Sequence, residues 1–285
     1  MKPFPIPVVP MVGAGSQPEE EELHYLAKPG DMSVFRAPIP RPPASPEALA
    51  GARLLLEKLV ADMEASAFGA AAAPTLSLLN VEADVVAEVN ELLGQGEVSV
   101  LVKGGRTLRV QETAFPSVWR VQSLREDGSL ERDDVEAAAM PSAVLAAISG
   151  APNSAEKKTE PAGLMNAPAL VSELFAQSAQ HQPGKAAHVI NLTLLPVTPE
   201  DLQYMADCLG FGTISMLSRG YGNCRITATG LPHTWWVQYF NSMDQLILNT
   251  LEVVQVPEAA LAAKEDYEDS IERLKEWIVS LDDLL

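Results

Sequence analysis

Apolar residues recur three or four positions apart over residues 46–66 and again over 167–181, which predicts a helix in each place. β-Rich runs at Thr75–Asn80 and His188–Leu195 predict a strand after each helix. A second helix is predicted over 82–93 and 198–209. Thr198 stands as the N-cap of the later one, Pro199 takes its first helical position, and Gly94 or Gly210 supplies the stop. Three or four strands follow, interrupted by the glycine pair at 104–105 and by GYGN at 220–223, where a tight hairpin calls for positive φ. Pro141 and Pro257 open a closing helix in each half. Only the later one is extended: Leu261, Tyr267, Ile271, Leu274, Ile278, Leu281 and Leu285 recur opposite an acidic face. That stripe is expected to cover the core or the joint between the halves; the other use of such a stripe is a free partner-binding helix.

The two halves are copies. Sliding the chain along itself by 116 positions, without a gap, lays Leu76–Ala147 over Leu192–Ala263 with 23 identities in 72 positions. Composition alone supplies about five. Trp119/Trp235, Arg109/Arg225, Gln122/Gln238, Gly94/Gly210 and Pro141/Pro257 are among the pairs. The expected fold class is therefore α+β: two tandem repeats of one α-β-α-β-β-β(β)-α unit, spanning 47–148 and 164–285. Residues 1–46 hold many of the prolines and the acid run Glu19–Glu22, and read as an extended arm. Residues 149–163, small, charged and turn-forming, read as a linker.

Charge narrows the class of partner. Among 285 residues, 20 Lys and Arg face 38 Asp and Glu, a formal charge of −18, which disfavours nucleic acid. Pro3, Pro5, Pro7 and Pro10 break the apolar start that would otherwise imitate a secretory signal, and no stretch is long and apolar enough to span a bilayer. Cys208 and Cys224 make no disulfide framework, which suits the cytoplasm.

Catalytic signatures are absent: the chain carries no GxSxG, Walker loop, HExxH or CxxC. Cys224 with His233 nine positions on could serve a Cys/His mechanism, but the repeat sets Cys224 opposite Leu108 and Cys208 opposite Leu92, both apolar slots. His24, His181, His188 and His233 lack ligand spacing, so no bound metal and no cofactor are expected. Alternation along 223–229 puts Cys224, Ile226 and Ala228 on one strand face and Arg225 and Thr227 on the other. Trp236, which replaces Arg120 of the first copy, stands on the alternate face beside Gln238. Two readings follow for it: an exposed anchor or a covered core residue. In the first, Arg219, Tyr221, Asn223, Arg225, Trp236 and Gln238 form a protein-binding patch, with Cys224 as a candidate thiol.

The stretches RGYGNCRI at 219–226, LPHTWWVQYFNSMDQLILNTLEV at 231–253 and VPEAALAAKEDYEDS at 256–270 resemble the HupH/HyaF/HoxQ family of hydrogenase expression and formation proteins. GAGSQPEEEELHYL at 13–26 and GLMNAPAL at 163–170 are similar to that family as well, with Ala14 departing from its usual Pro. The resemblance implies an accessory chaperone, not an enzyme, in the maturation of a [NiFe] uptake hydrogenase. It implies as partners the iron–sulfur small-subunit precursor, held before twin-arginine export, and a thioredoxin-like accessory protein. A basic leader would be steered by the acidic surface, including Asp266, Glu268, Asp269 and Glu272. The alternative from another class is a thiol, redox or cluster-handling factor using Cys224.

Overall fold

The computed structural model describes residues 45–220 and 222–281. All but the last two residues of the expected arm lie outside that range, as do Tyr221 and Leu285. The first half runs α1 (Pro46–Ala65), β1 (Thr75–Ser77), α2 (Ala83–Leu93), β2 (Val98–Val102), β3 (Thr107–Glu112), β4 (Val118–Leu124), β5 (Leu130–Ala137) and α3 (Ser142–Ser149). The second runs α4 (Ala167–Ala179), β6 (His188–Asn191), α5 (Pro199–Leu209), β7 (Phe211–Ser218), β8 (Asn223–Thr229), β9 (Thr234–Phe240) and β10 (Leu246–Val253). It closes with a single 3-10 turn at Glu258–Ala260 before α6 (Lys264–Ser280). The offset of 116 carries β4 onto β9, β5 onto β10 and α2 onto α5 residue for residue.

The ten strands make one antiparallel sheet in the order β1-β5-β4-β3-β2-β7-β8-β9-β10-β6. The halves meet at β2 and β7, where Val98 pairs with Ser218, Val100 with Met216 and Val102 with Ile214. Met216 is the repeat counterpart of Val100, so a pseudo-twofold axis passes through that pair. The symmetry extends to side-chain hydrogen bonds: the Trp119 indole donates to Ala138 O at 2.8 Å and the Trp235 indole to Val254 O at 3.0 Å.

Local signals explain the helix ends. Thr198 Oγ1 accepts from Asp201 N at 3.2 Å while Asp201 Oδ2 accepts from Thr198 N at 3.1 Å, a reciprocal cap at the start of α5. The other Asp201 oxygen accepts from Met165 N and Ala167 N, tying α4 to α5. Burial opposes charge on this carboxylate, but its backbone donors outweigh that effect and hold its pKa below the ordinary value. At the other end, Gly94 and Gly210 stop α2 and α5 with φ of 61° and 63°, where glycine avoids the Cβ clash. Of the hairpin glycines at 104–105, 220 and 222, positive φ falls on Gly222 and not on Gly104, Gly105 or Gly220.

Each sheet face is covered differently. On one, α3, the 3-10 turn and the segments beside them pack over the middle strands, joining Val98, Val100, Trp119, Ile214, Cys224, Ile226 and Trp235 into a core that crosses the axis. On the opposite face, the described helices cover the flanks. There α1, α2 and α6 bury Leu76, Val118 and Val135, while α4 and α5 bury Ile190, Trp236 and Leu251.

The last helix departs from the expectation of one extended closing helix. Leu261 is extended and 41% exposed, and Ala262 N donates to Ala139 O at 3.1 Å, which carries the chain across to the first half. There α6 packs on α1: Tyr267 and Leu274 join the core of Leu56, Leu59 and Met63, and the Tyr267 hydroxyl donates to Met63 O at 3.1 Å. The exchange is reciprocal. Residues 151–161, without helix or strand, lie along the second half, with Ser154 N donating to Gly230 O and Glu156 N to Cys208 O, both at 2.9 Å.

Candidate recognition surface

The flank-covered face leaves a saddle in its middle. Two rows cross it by cross-strand register. One reads Val135, Arg120, Gln111, Ser99, Leu217, Arg225, Gln238, Asn249. Its symmetry mate reads Leu251, Trp236, Thr227, Ser215, Leu101, Arg109, Gln122, Asp133. The floor lies on β3, β2, β7 and β8, and α2 and α5 form the banks. Arg120 beneath α2 donates to the Asn90 side chain, and Trp236 lies in the cluster that contains Met205 and Leu209 of α5.

The banks differ chemically at matched positions. On the first side Arg120 grips Asp133 through Nε at 2.5 Å and Nη2 at 2.6 Å, and Gln122 adds a donor at 3.2 Å. On the second, the Trp236 indole donates to Asn249 Oδ1 at 2.6 Å. A charged pair and a neutral pair thus fill the same place. Phe211, 41% exposed, lies 6.4 Å from Trp236 between ring centroids, and the Arg225 guanidinium sits 4.4 Å from the Phe240 ring centre.

The residues expected to form one patch divide. Arg225 and Gln238 are cross-strand partners on the saddle face. Asn223 is half-buried and donates to Asp244 Oδ1 at 3.2 Å, bracing neighbouring hairpins. Arg219 is half-buried just beyond β7, its backbone N–H donating to Glu97 O. Tyr221 lies outside the described residues. The exposed reading of Trp236 is corrected: it is 1% exposed, because α5 and Phe211 cover it. Gln238 is 2% exposed, and its Oε1 has no partner among the described residues, so neither side chain offers surface to a partner.

Cys224 is buried in the core of the other sheet face, and burial pushes its thiol up to about 12, only partly offset by a hydrogen bond with Tyr239. Cys208 is buried under residues 156–158 on the saddle side, accepting from Lys158 N at 3.4 Å. The two sulfurs therefore lie in different cores, on opposite faces of the sheet. His181 and His233 stack with ring centroids 4.3 Å apart, and burial with the neighbouring ring lowers the His181 pKa. Among the described residues no group of three or more His, Cys, Asp and Glu side chains is placed to hold a metal ion.

Sequence reasoning singled out the second copy alone and left Arg109, Gln122 and Phe211 aside. The first two were legible: they are identical to Arg225 and Gln238 in the repeat. Phe211 carried no signal.

Comparison with known proteins decides the family. Residues 49–162 and 164–281 each match the C-terminal conserved region of the HupH hydrogenase expression protein family. The chain belongs to that family. A hydrogenase expression/formation protein HoxQ from Cupriavidus necator is 40% identical over 99% of this chain and 100% of its own. HupH of Rhodobacter capsulatus is 44% identical over 94% of this chain and 95% of its own. The hydrogenase-1 operon protein HyaF of Escherichia coli is 32% identical over 93% and 94%. A solved structure, hydrogenase expression protein HupH from Thiobacillus denitrificans, is 27% identical, covering 41% of this chain and 97% of its own, with a TM-score of 0.38. The twofold family match coincides with the two halves of the sheet. No described helix of this HupH-family chain is long and apolar enough to cross a membrane.

Proposed function

We propose that this HupH-family chain is a non-catalytic accessory chaperone in the maturation of a [NiFe] uptake hydrogenase. It holds the iron–sulfur small-subunit precursor in the bacterial cytoplasm before twin-arginine export, alongside a thioredoxin-like accessory protein. The observation that carries this reading is near-full-length similarity to proteins named for hydrogenase expression and formation. Burial of both cysteines in separate cores speaks against the thiol or cluster-handling alternative, since a reactive thiol needs access and a depressed pKa.

The acidic face of α6 supports steering of a basic leader. Glu272 is exposed, while Glu268 pairs with Lys264 at 3.2 Å and Asp269 with Arg273 at 3.6 Å, and Asp266 accepts from the N–H of Ala263. Exposed pairs of this kind leave the carboxylates accessible to a competing cation. Co-purification with the hydrogenase subunits, with and without the twin-arginine leader, tests the proposal. Capture of the small subunit that weakens with salt and with reversal of Glu268, Asp269 and Glu272 is expected. Failure to capture either subunit would overturn it.

A further inference from the structure

The two halves repeat their strand pairing except at one edge. Carried forward by 116 positions, Ser99 opposite Gln111 becomes Ser215 opposite Thr227, Arg109 opposite Gln122 becomes Arg225 opposite Gln238, and Trp119 opposite Glu136 becomes Trp235 opposite Glu252. The outer pair breaks the rule. Leu76 of β1 stands opposite Val135, but Ile190 of β6, not Leu192, stands opposite Leu251. The next contact shows the same shift: Leu78 N donates to Asp133 O, and Leu192 N, not Leu194 N, donates to Asn249 O. The β6 ladder is therefore displaced by two residues from the one its sequence repeats. That sequence is well matched, since LSLLNV at 76–81 and LTLLPV at 192–197 are identical at four of six positions.

The displacement has a source in chain length. Seventeen residues separate α1 from α2, and nineteen separate α4 from α5. The two extra residues lie after β6, and Leu194 is left there 80% exposed, while its sequence counterpart Leu78 is buried in the core that contains Leu56 and Leu59. Polar contacts hold this register. Thr193 Oγ1 accepts from Asn249 N at 2.8 Å, Asn191 Oδ1 accepts from Thr193 N at 3.0 Å, and His188 pairs with Glu173 at 2.8 Å. The apolar pattern favours the other register. As placed, His188, Ile190 and Leu192 run along Val253, Leu251 and Asn249; two residues further on, Ile190, Leu192 and Leu194 would do so. A shift of two keeps every side chain on its own face, so Leu192 and Leu194 would fill the places that Leu76 and Leu78 fill in the first half. Among the described residues β6 ends the strand order and pairs with β10 alone, so a single ladder has to re-form.

We propose that β6 is a two-register strand, and that its passage between registers exposes or withdraws Leu194 on the surface of the second half. In the second register the loop before α5 shortens to the length found before α2, and the two extra residues pass to the segment between α4 and β6. That segment can take them: residues 182–187 are exposed, and Gly184 already holds a φ of 78°. The registers compete because each has what the other lacks. One keeps the hydrogen bonds of Thr193 and Asn191 and the exposed His188–Glu173 pair; the other buries Leu194 and sets an aliphatic side chain, in place of His188, opposite Val253. This device goes beyond the function proposed above and does not depend on it.

Cross-strand disulfides in the full chain distinguish the registers. Leu192 N donating to Asn249 O makes Val189 and Glu252 a non-hydrogen-bonded pair, where opposite Cα atoms lie about 4.5 Å apart, within disulfide reach. Two residues on, Asn191 takes the place of Val189. Val189→Cys with Glu252→Cys therefore reports the register described, and Asn191→Cys with Glu252→Cys reports the second. Each variant is equilibrated in a glutathione redox buffer, its fold checked by circular dichroism and its linkage mapped by peptide mass spectrometry. Both pairs are expected to link. Leu194→Asp, harmless where Leu194 is exposed and costly where it is buried, should lower the 191–252 linkage at least fivefold while leaving the 189–252 linkage and the Tm unchanged. Thr193→Val, which removes the acceptor for Asn249 N, should raise the 191–252 linkage at least threefold. Absence of the 191–252 link from a folded chain overturns the proposal, and so does a 191–252 link indifferent to either substitution, which would mark fraying of the edge. Formation of the 191–252 link without the 189–252 link overturns it as well, by leaving one register. Should Glu252→Cys disturb the fold, Thr250→Cys paired with Asn191→Cys or with Thr193→Cys poses the same choice.

Discussion

Trp236 and Arg120 occupy one position in the two halves, and each is matched by a diagonal neighbour on the adjacent strand: indole with the Asn249 amide, guanidinium with the Asp133 carboxylate. Removing the indole opens a large cavity and leaves Asn249 Oδ1 buried without a donor. Trp236→Ala is therefore expected to lose about 3–5 kcal/mol of stability, read by urea unfolding. An unchanged midpoint would restore the exposed reading. Cys224 makes a pH-dependent prediction. Burial raises its folded-state pKa from 9.0 to about 12, so the folded chain retains a proton that the unfolded chain releases above about pH 9. Its contribution is whole below that pH and is lost as pH rises toward 12. Thermal scans from pH 8 to 11 should show a fall in Tm that is smaller in Cys224→Ala, and alkylation of the native thiol at pH 8 should be slow until the chain is unfolded.

At the scale of elements, α6 is sequence of the second half serving the core of the first. Tyr267, Leu274 and Ile278 pack with Leu56, Leu59 and Met63, Ser270 Oγ donates to Pro116 O at 2.7 Å, and Lys275 pairs with Glu64. Leu274→Ala is expected to cost about 2–5 kcal/mol. Its effect should appear first in the first half: amide hydrogen exchange should accelerate in α1 while α4 stays protected. Acceleration confined to α4 and α5 would contradict the exchange of segments between halves. The amphipathic stripe of α6 was legible because a period of 3.6 is local; which core it covers was not, because that depends on where the extended stretch at Leu261–Ala263 leads.

The two described halves share one sheet with a pseudo-twofold axis at Val100 and Met216, and the core on the face opposite the saddle draws Val98, Val110, Ile214 and Ile226 into a single cluster. Neither half can unfold without exposing the other's apolar surface. Calorimetry should accordingly give one transition whose calorimetric and van't Hoff enthalpies agree. Two resolved transitions would show that the β2–β7 seam is weak enough for the halves to act alone.

Duplication, the α+β order of elements, the helix stops at Gly94 and Gly210 and the core face of β8 were all set by the sequence itself, since each rests on periodicity, capping or self-similarity within short spans. Family membership was also legible there, carried by long stretches near the C-terminus. Pairing of β2 with β7, burial of Trp236 and the stacking of His181 on His233 were decided only in three dimensions. Those features join residues from 52 to 120 positions apart or turn on which helix covers a strand face, and no local pattern encodes either.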